Sequence, residues 1–114
     1  MNFDLTAPCG NCPFRTDITF DLNAERVEEI CDGITRQQGT FSCHKTTTVN
    51  GCDDRSKEQH CAGALIMLER MEKPNQMMRI AERFGGYDHT KLHMDAPVFE
   101  DSDAMIEHYV EQNL

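Results

Sequence analysis

The six cysteines are the side chains of this sequence best suited to chemistry. Cys9 and Cys12 form a C-x-x-C pair, a spacing that lets two thiolates face one metal ion from a single tight turn. Cys43 precedes a histidine in the middle of the chain, and Cys61 stands where a helical pattern begins. Four thiolates from three separate segments predict one closed metal site with all-sulfur ligation, formed by Cys9, Cys12, Cys43 and Cys61.

A redox function of the C-x-x-C pair is the first alternative. A thioredoxin-like pair follows a strand and directly precedes a helix, whereas Pro8 and Pro13 flank this pair and a polar loop follows it. The two remaining cysteines are assigned elsewhere. Cys31 lies on the apolar face of a predicted helix, and Cys52 lies in a polar loop as a free thiol. A second site formed by these two cysteines is the alternative.

Three polar residues lie beside the predicted ligands. His44 and His60 each adjoin a cysteine, and either of them in place of a thiolate would give a site of three cysteines and one histidine. Neighbouring residues rarely both reach the same metal, which favours a supporting or surface role for each histidine. Arg15 follows Cys12 by three residues and is suited to donate hydrogen bonds to a negatively charged centre. Arg15 and His44 are therefore predicted to contact the cofactor, with an ordinary surface arginine as the alternative.

Two metals fit four thiolates, namely Zn²⁺ and a [4Fe–4S] cluster. Zinc is the commoner occupant of small structural sites. The local sequence instead favours the iron–sulfur cluster, because Pro13 follows the second cysteine and offers no backbone N–H to a sulfur. A proline directly after a cysteine ligand also occurs in bacterial ferredoxin-type runs. Both metals therefore stay open at this point.

The charge pattern bears on partners. The formal net charge is −9, and residues 92–114 hold six acidic side chains without one Lys or Arg. Such a sequence argues against nucleic acid as the partner, since phosphate binding needs a basic face. A protein with a basic surface is the predicted partner, and a solvated acidic face that only keeps the chain in solution is the alternative.

The first residues and the apolar segments of the sequence indicate where in the cell the protein is expected. Residues 1–6 lack the basic and apolar regions of a signal peptide, and the longest purely apolar run is Ala64–Leu68. No membrane span is predicted. The expected location is the cytoplasm, where thiols stay reduced, so metal binding is favoured over three disulfides.

The elements that must position the cysteines are mainly helical. A first helix follows an N-cap at Asn23, buries Val27, Ile30, Cys31 and Ile34, and stops by Gly39. Further helices are predicted from Cys61 to about Lys73, from about Asn75 to Phe84, and from Ser102 or Asp103 onwards. Their predicted inward residues are Met77, Ile80, Ala81 and Phe84 in the third helix and Ile106, Tyr109 and Val110 in the last.

Loops make up the rest of the predicted fold. Residues 1–20, 51–60 and 87–101 read as irregular, and a small hairpin is possible near Asn50-Gly51. The predicted fold is thus mainly α with a small irregular and β-hairpin portion. It forms one domain, residues 1–114, organised around the four-cysteine centre.

Three short motifs resemble a group of uncharacterised, short, cysteine-rich proteins of bacteria and their phages. They are Pro8-Cys9-x-x-Cys12-Pro13-Phe14-Arg15, Phe41-x-Cys43-His44 and Cys61-Ala62-Gly63. The resemblance covers roughly residues 8–65. It implies that Cys9, Cys12, Cys43 and Cys61 belong together and that Cys31 and Cys52 lie outside the set. It implies no particular activity.

Four functions are compatible with these residues. The first is a metal-organised module without catalytic activity that binds another protein or regulates it. The second is an iron–sulfur protein that senses oxygen or electron supply. An enzyme is the third and is disfavoured, because a catalytic zinc keeps an open position with three protein ligands. The fourth is a zinc-dependent nucleic-acid-binding module, for which Arg15, Lys45, Arg55 and Lys57 would supply a local basic patch.

Overall fold

Four α-helices and their connections form the fold in a computed structural model that describes residues 3–8, 12–17, 22–42 and 59–112. The helices are α1 (Ala24–Ile34), α2 (Ala62–Arg70), α3 (Gln76–Arg83) and α4 (Ser102–Gln112), with a short 3-10 helix at His89–Lys91. The described ranges contain two isolated antiparallel bridges and no longer strand. The prediction of a mainly α protein is confirmed, while the possible hairpin near residue 50 lies outside the described residues.

Helix α1 forms as its sequence predicts. The Asn23 side chain accepts a hydrogen bond from the Arg26 N–H and satisfies one of the unpaired donors of the first turn. The four residues expected on the inward face are all buried: Val27, Ile30, Cys31 and Ile34. The helix ends at Ile34, before the expected stop at Gly39, and the Gly39 N–H instead bonds the Gly33 carbonyl at 2.7 Å.

Helix α2 is the centre of the molecule. All seven residues from Ala62 to Leu68 are buried, as expected for a helix that is apolar on every side. The helix ends earlier than predicted because Glu72 adopts a left-handed conformation, with φ 57°. The Lys73 N–H then bonds the Leu68 carbonyl and the Glu72 N–H bonds the Glu69 carbonyl, both at 3.0 Å, which is the Schellman arrangement. The chain has therefore left the helix before it reaches Pro74.

Helix α3 has the predicted position but not the predicted orientation. Met77, Ile80 and Phe84 were expected to face inward, yet they are 39%, 41% and 83% exposed. Met78 is buried instead, and Ala81 packs against the core only in part. Side-chain hydrogen bonds at the helix start fix this rotation, because the buried Asn75 side chain is tied to the chain that follows α1.

Helix α4 packs against α1. Met105 and Tyr109 are buried, and the Cys31 thiol lies 3.8 Å from the Met105 sulfur across the interface. Of the three residues predicted to face inward, Tyr109 is buried and Ile106 is partly buried. The prediction is wrong for Val110, which is 40% exposed. The acidic residues of α4 are exposed.

The segment between α3 and α4 is held by one arginine. The Arg70 guanidinium, at the end of α2, donates to the carbonyls of Met94, Val98 and Ala96, the last at 2.8 Å. Val98 in turn forms an antiparallel bridge with Arg15. Arg70 thereby connects the central helix to the strand-like pairing that fixes the N-terminal loop.

None of the helices in the described ranges combines the length and the apolar character needed to cross a membrane.

We predict that Asn75→Ala destabilises the fold by about 2–3 kcal/mol, since it removes a helix cap and leaves buried carbonyls without a donor. The Asn75 side chain accepts from the Met78 N–H at 3.1 Å and donates to the Gly39 carbonyl at 2.8 Å. The matched control is Asn23→Ala, which removes an exposed cap alone and should cost about 1 kcal/mol. Urea denaturation compares the two variants, and equal losses would contradict the assigned role of Asn75.

Candidate metal centre

Two of the four predicted ligands lie at the start of the central helix. Cys61 is the N-cap residue of α2, and its N–H bonds the Phe41 carbonyl at 2.7 Å. Cys12 begins a tight turn in which the Arg15 N–H bonds the Cys12 carbonyl at 3.2 Å. These two attachments bring the sulfur atoms of Cys12 and Cys61 to 3.4 Å from each other, although the residues lie 49 positions apart in the sequence.

The third residue of the Cys61-Ala62-Gly63 motif leaves room for this contact. A Cβ atom on Gly63 would lie 2.4 Å from the Cys12 sulfur and 3.0 Å from the Phe14 Cβ. Both distances are shorter than the surrounding structure can accept. Glycine is therefore required for the Cys12 sulfur to sit against the first turn of α2.

The two sulfurs lie within hydrogen-bond distance, and either can donate its S–H to the other. This hydrogen bond is the main reason that the pKa of Cys12 is lowered, and burial opposes it. The N–H groups of Phe14 and Gly63 and the charge of Arg15 act in the same direction as the bond.

The pKa of Cys61 is raised well above its usual value, first by the hydrogen bond to Cys12 and then by burial. Helix α2 has no side-chain cap hydrogen bond, yet the N–H groups of Gly63 and Ala64 are close enough to oppose this rise. A buried pair of cysteines in direct contact can release its protons to bind a metal cation as thiolates.

Aromatic side chains hold the loop that carries Cys12. Phe14 is fully buried and meets the Phe41 ring edge-on, with ring centroids 5.5 Å apart. The Tyr109 hydroxyl, from α4, donates to the Pro13 carbonyl at 3.0 Å. Burial raises the pKa of Tyr109, and the negative charge on Cys12 adds to the rise. The loop that carries Cys12 is thus held against the chain before residue 43 and against the last helix.

His60 is buried next to the site and uses both of its ring nitrogens. Nε2 accepts from the Phe41 N–H at 3.3 Å, so the proton is on Nδ1, which donates to the Cys61 carbonyl at 3.1 Å. The ring also stacks on Phe3, with centroids 5.3 Å apart. Burial lowers the pKa of His60 to about 4. In this arrangement His60 is a neutral structural residue with no nitrogen free to bind a metal.

Arg15 makes a two-point ion pair. Its Nε and Nη2 atoms donate to the Asp17 carboxylate at 2.9 and 2.7 Å. The guanidinium nevertheless acts on the site electrostatically, since its charge contributes to the lowered pKa of Cys12. The Asp17 carboxylate therefore neutralises part of the positive charge of Arg15, which was predicted to act on the thiolates.

The remaining predicted residues divide into two groups. Cys31 is placed in the core between α1 and α4, as the sequence predicted. The other predicted residues lie outside the described part of the chain: Cys9, Cys43, His44 and Cys52. Cys12, Cys31 and Cys61 are each free thiols.

A second group of ligand-type side chains lies on the surface. Glu82, Asp88 and His89 come within reach of one another, and all three are at least partly exposed. The Glu82 carboxylate pairs with the His89 imidazole, which explains their proximity and raises the pKa of His89. An ion pair on the surface accounts for this cluster.

Sequence reasoning did not find the structural roles of Gly63 and Tyr109. A signal existed only for Gly63, which belongs to one of the three motifs and directly follows a cysteine and an alanine. Tyr109 was expected in the core, and nothing in the pattern connected its hydroxyl to a carbonyl 96 positions earlier.

The fold and this site define a small helical protein with a buried cysteine pair against the first turn of its central helix. The chain belongs to the family of unknown function DUF6283, whose family model matches residues 5–113. No curated protein and no solved structure matches the chain. Membership in an uncharacterised family agrees with the resemblance noted in the sequence.

We predict that Gly63→Ala destabilises the folded chain by about 1–3 kcal/mol and weakens metal binding, because the added methyl group overlaps the Cys12 sulfur. The matched control is Gly33→Ala in α1, where the new methyl group meets nothing within 4 Å and should stabilise by about 0.5–1 kcal/mol. Urea denaturation with and without added metal compares the two. A harmless Gly63→Ala variant would refute the close approach.

We also predict that Cys31 resists alkylation in the folded chain. Burial and the nearby Asp103 and Glu28 carboxylates raise its pKa to about 11, so little thiolate is present at pH 8. Relative to the urea-unfolded chain, the rate of reaction with iodoacetamide should fall at least about a hundredfold. Peptide mapping by mass spectrometry measures this rate, and similar rates in the two states would contradict a buried position.

Proposed function

We propose that this protein is a metal-organised interaction module in which Cys9, Cys12, Cys43 and Cys61 bind one zinc ion. The bound metal joins the N-terminal loop, the middle of the chain and the central helix. The contact that supports this proposal best is the 3.4 Å separation between the sulfurs of Cys12 and Cys61.

That separation favours a single metal ion over a cubane cluster. Two sulfurs that each lie about 2.3 Å from one tetrahedral zinc are roughly 3.8 Å apart. In a [4Fe–4S] cluster each thiolate binds a different iron, so its cysteine sulfurs stand much further from one another. The Cys12 and Cys61 sulfurs need to separate by only a few tenths of an ångström to bind one zinc ion.

Covalent connectivity supports the other two ligands. Cys9 is the residue after Pro8, and Cys43 is the residue after Ser42, and consecutive Cα atoms lie about 3.8 Å apart. Ser42 forms an antiparallel bridge with His60, the neighbour of Cys61. Cys9 is joined to Cys12 by only two intervening residues. Ser42 and Cys12, which precede or follow the other two proposed ligands closely in the sequence, thus lie next to the described part of the site.

A structural metal would give this fold much of its stability. The chain has no Trp, and helix α3 leaves a largely apolar face exposed, so the apolar core is small. Zinc in small structural sites contributes on the order of 10–16 kcal/mol to folding. A closed site of four thiolates has no open position for a substrate, which suits a structural role.

The partner that we propose has a basic surface. Between α1 and α4 lies an open cleft of about 570 Å³ whose walls carry five carboxylates: Glu25, Glu28, Glu29, Asp32 and Asp103. The floor includes Ile106 and Cys31, and the one cation in the lining, Arg36, pairs with Asp32. Acidic walls over a partly apolar floor are complementary to a basic segment with an apolar side chain.

Metal analysis of single-cysteine variants tests the site. We expect about one zinc and no iron per chain in protein purified without an affinity-column metal. Each of Cys9→Ser, Cys12→Ser, Cys43→Ser and Cys61→Ser should lose the metal and unfold at lower urea concentration. Elemental analysis and urea denaturation provide the measurements.

The matched control is Cys31→Ser, which alters a buried cysteine on another helix. It should lower stability without changing the amount of metal per chain, because Cys31 packs on Met105 and not on the site. Normal metal content in Cys12→Ser or Cys61→Ser would refute the centre. Iron and sulfide in place of zinc, with a brown colour, would support the alternative function, in which the same cysteines bind the cluster of an iron–sulfur sensor.

A further inference from the structure

The buried cysteine pair has a second chemical capacity besides metal binding. The Cys12 and Cys61 sulfurs are 3.4 Å apart, with one S–H directed at the other sulfur. A disulfide has an S–S length of about 2.05 Å, so the sulfurs need to approach by roughly 1.4 Å to bond. Short side-chain rotations cover such a distance.

We propose that Cys12 and Cys61 form an oxidisable pair that a small hydroperoxide converts into a disulfide. This inference rests on the proposed function in one respect, namely that oxidation would remove two of the four thiolates and release the metal. The disulfide itself requires only the sulfur geometry of the described residues.

The reaction proceeds in two balanced steps. One sulfur of the pair, as its thiolate, attacks one oxygen of hydrogen peroxide, the O–O bond breaks, hydroxide leaves, and that sulfur becomes a sulfenic acid. The thiol of the other cysteine then attacks the sulfenic sulfur, the S–O bond breaks, and the hydroxyl leaves as water with the thiol proton. The sulfur pair loses two electrons and the peroxide gains them.

The environment of the pair selects the oxidant. Cys12 is 1% exposed and Cys61 is 3% exposed, and the Phe14 and Phe41 rings stand against this part of the chain. Hydrogen peroxide is small enough to reach such sulfurs during local opening, whereas oxidised glutathione is not. Cys31 is equally buried, but its sulfur faces the Met105 thioether, and neither of the other two described cysteines is in contact with it. The third described cysteine is therefore an internal control.

The test treats the full chain with hydrogen peroxide, once metal-free and once metal-loaded. We expect each metal-free chain to lose about 2 Da, and peptide mapping to locate a Cys12–Cys61 disulfide. Cys31→Ser should give the same product as the unchanged protein. Cys12→Ser and Cys61→Ser should each abolish this disulfide, and dimedone should trap a sulfenic acid on the remaining cysteine of the pair.

Two results would overturn the inference. One is a disulfide that joins either cysteine to Cys9 or Cys43 in place of the Cys12–Cys61 bond. The other is faster oxidation by oxidised glutathione than by hydrogen peroxide.

The metal-loaded protein separates this inference from the proposed function. Zinc release measured with a chromogenic chelator, in step with the mass loss, supports both. A disulfide in a chain that never bound zinc supports the inference and refutes the proposed function. Zinc held by the four cysteines with no Cys12–Cys61 bond after peroxide refutes the inference and leaves the metal centre in place.

Discussion

The rest of the structure depends on the contact between the Cys12 sulfur and the first turn of the central helix. This contact brings a loop from the start of the chain against α2, which is buried on every side. It is possible only because Gly63 has no side chain. Loops of this kind have few backbone partners of their own, so the place where they touch a rigid element determines where their other residues lie.

Neighbouring elements on different sides hold the residues that form the contact between Cys12 and α2. Helix α4 supplies the Tyr109 hydroxyl to the Pro13 carbonyl, and Arg70 at the end of α2 ties down the segment that pairs with Arg15. His60 holds the approach to Cys61 through two ring hydrogen bonds. Each of these polar groups is satisfied by backbone atoms, which fixes the geometry more firmly than apolar packing alone.

The sequence predicted the helices well because local signals define them. Asn23 and Asn75 cap α1 and α3, and the buried face of α1 follows from its 3.6-residue period. The orientation of α3 was not predictable, because it is set by Asn75 amide bonds to the chain around Gly39 and Ile34. The three motifs also grouped Cys12 with Cys61, and the sulfurs of these two residues lie 3.4 Å apart. No local pattern, however, shows which atoms will lie beside a sulfur.

The hydrogen bond between Tyr109 and Pro13 also bears on how the protein is made. Its two residues are 96 positions apart, and synthesis proceeds at about 5–20 residues per second. Roughly 5–20 s therefore pass between the appearance of Pro13 and that of Tyr109. During that interval the loop that carries Cys12 and Pro13 is without the helix that holds it. The contact between this loop and α4 is consequently among the last to form in a newly made molecule.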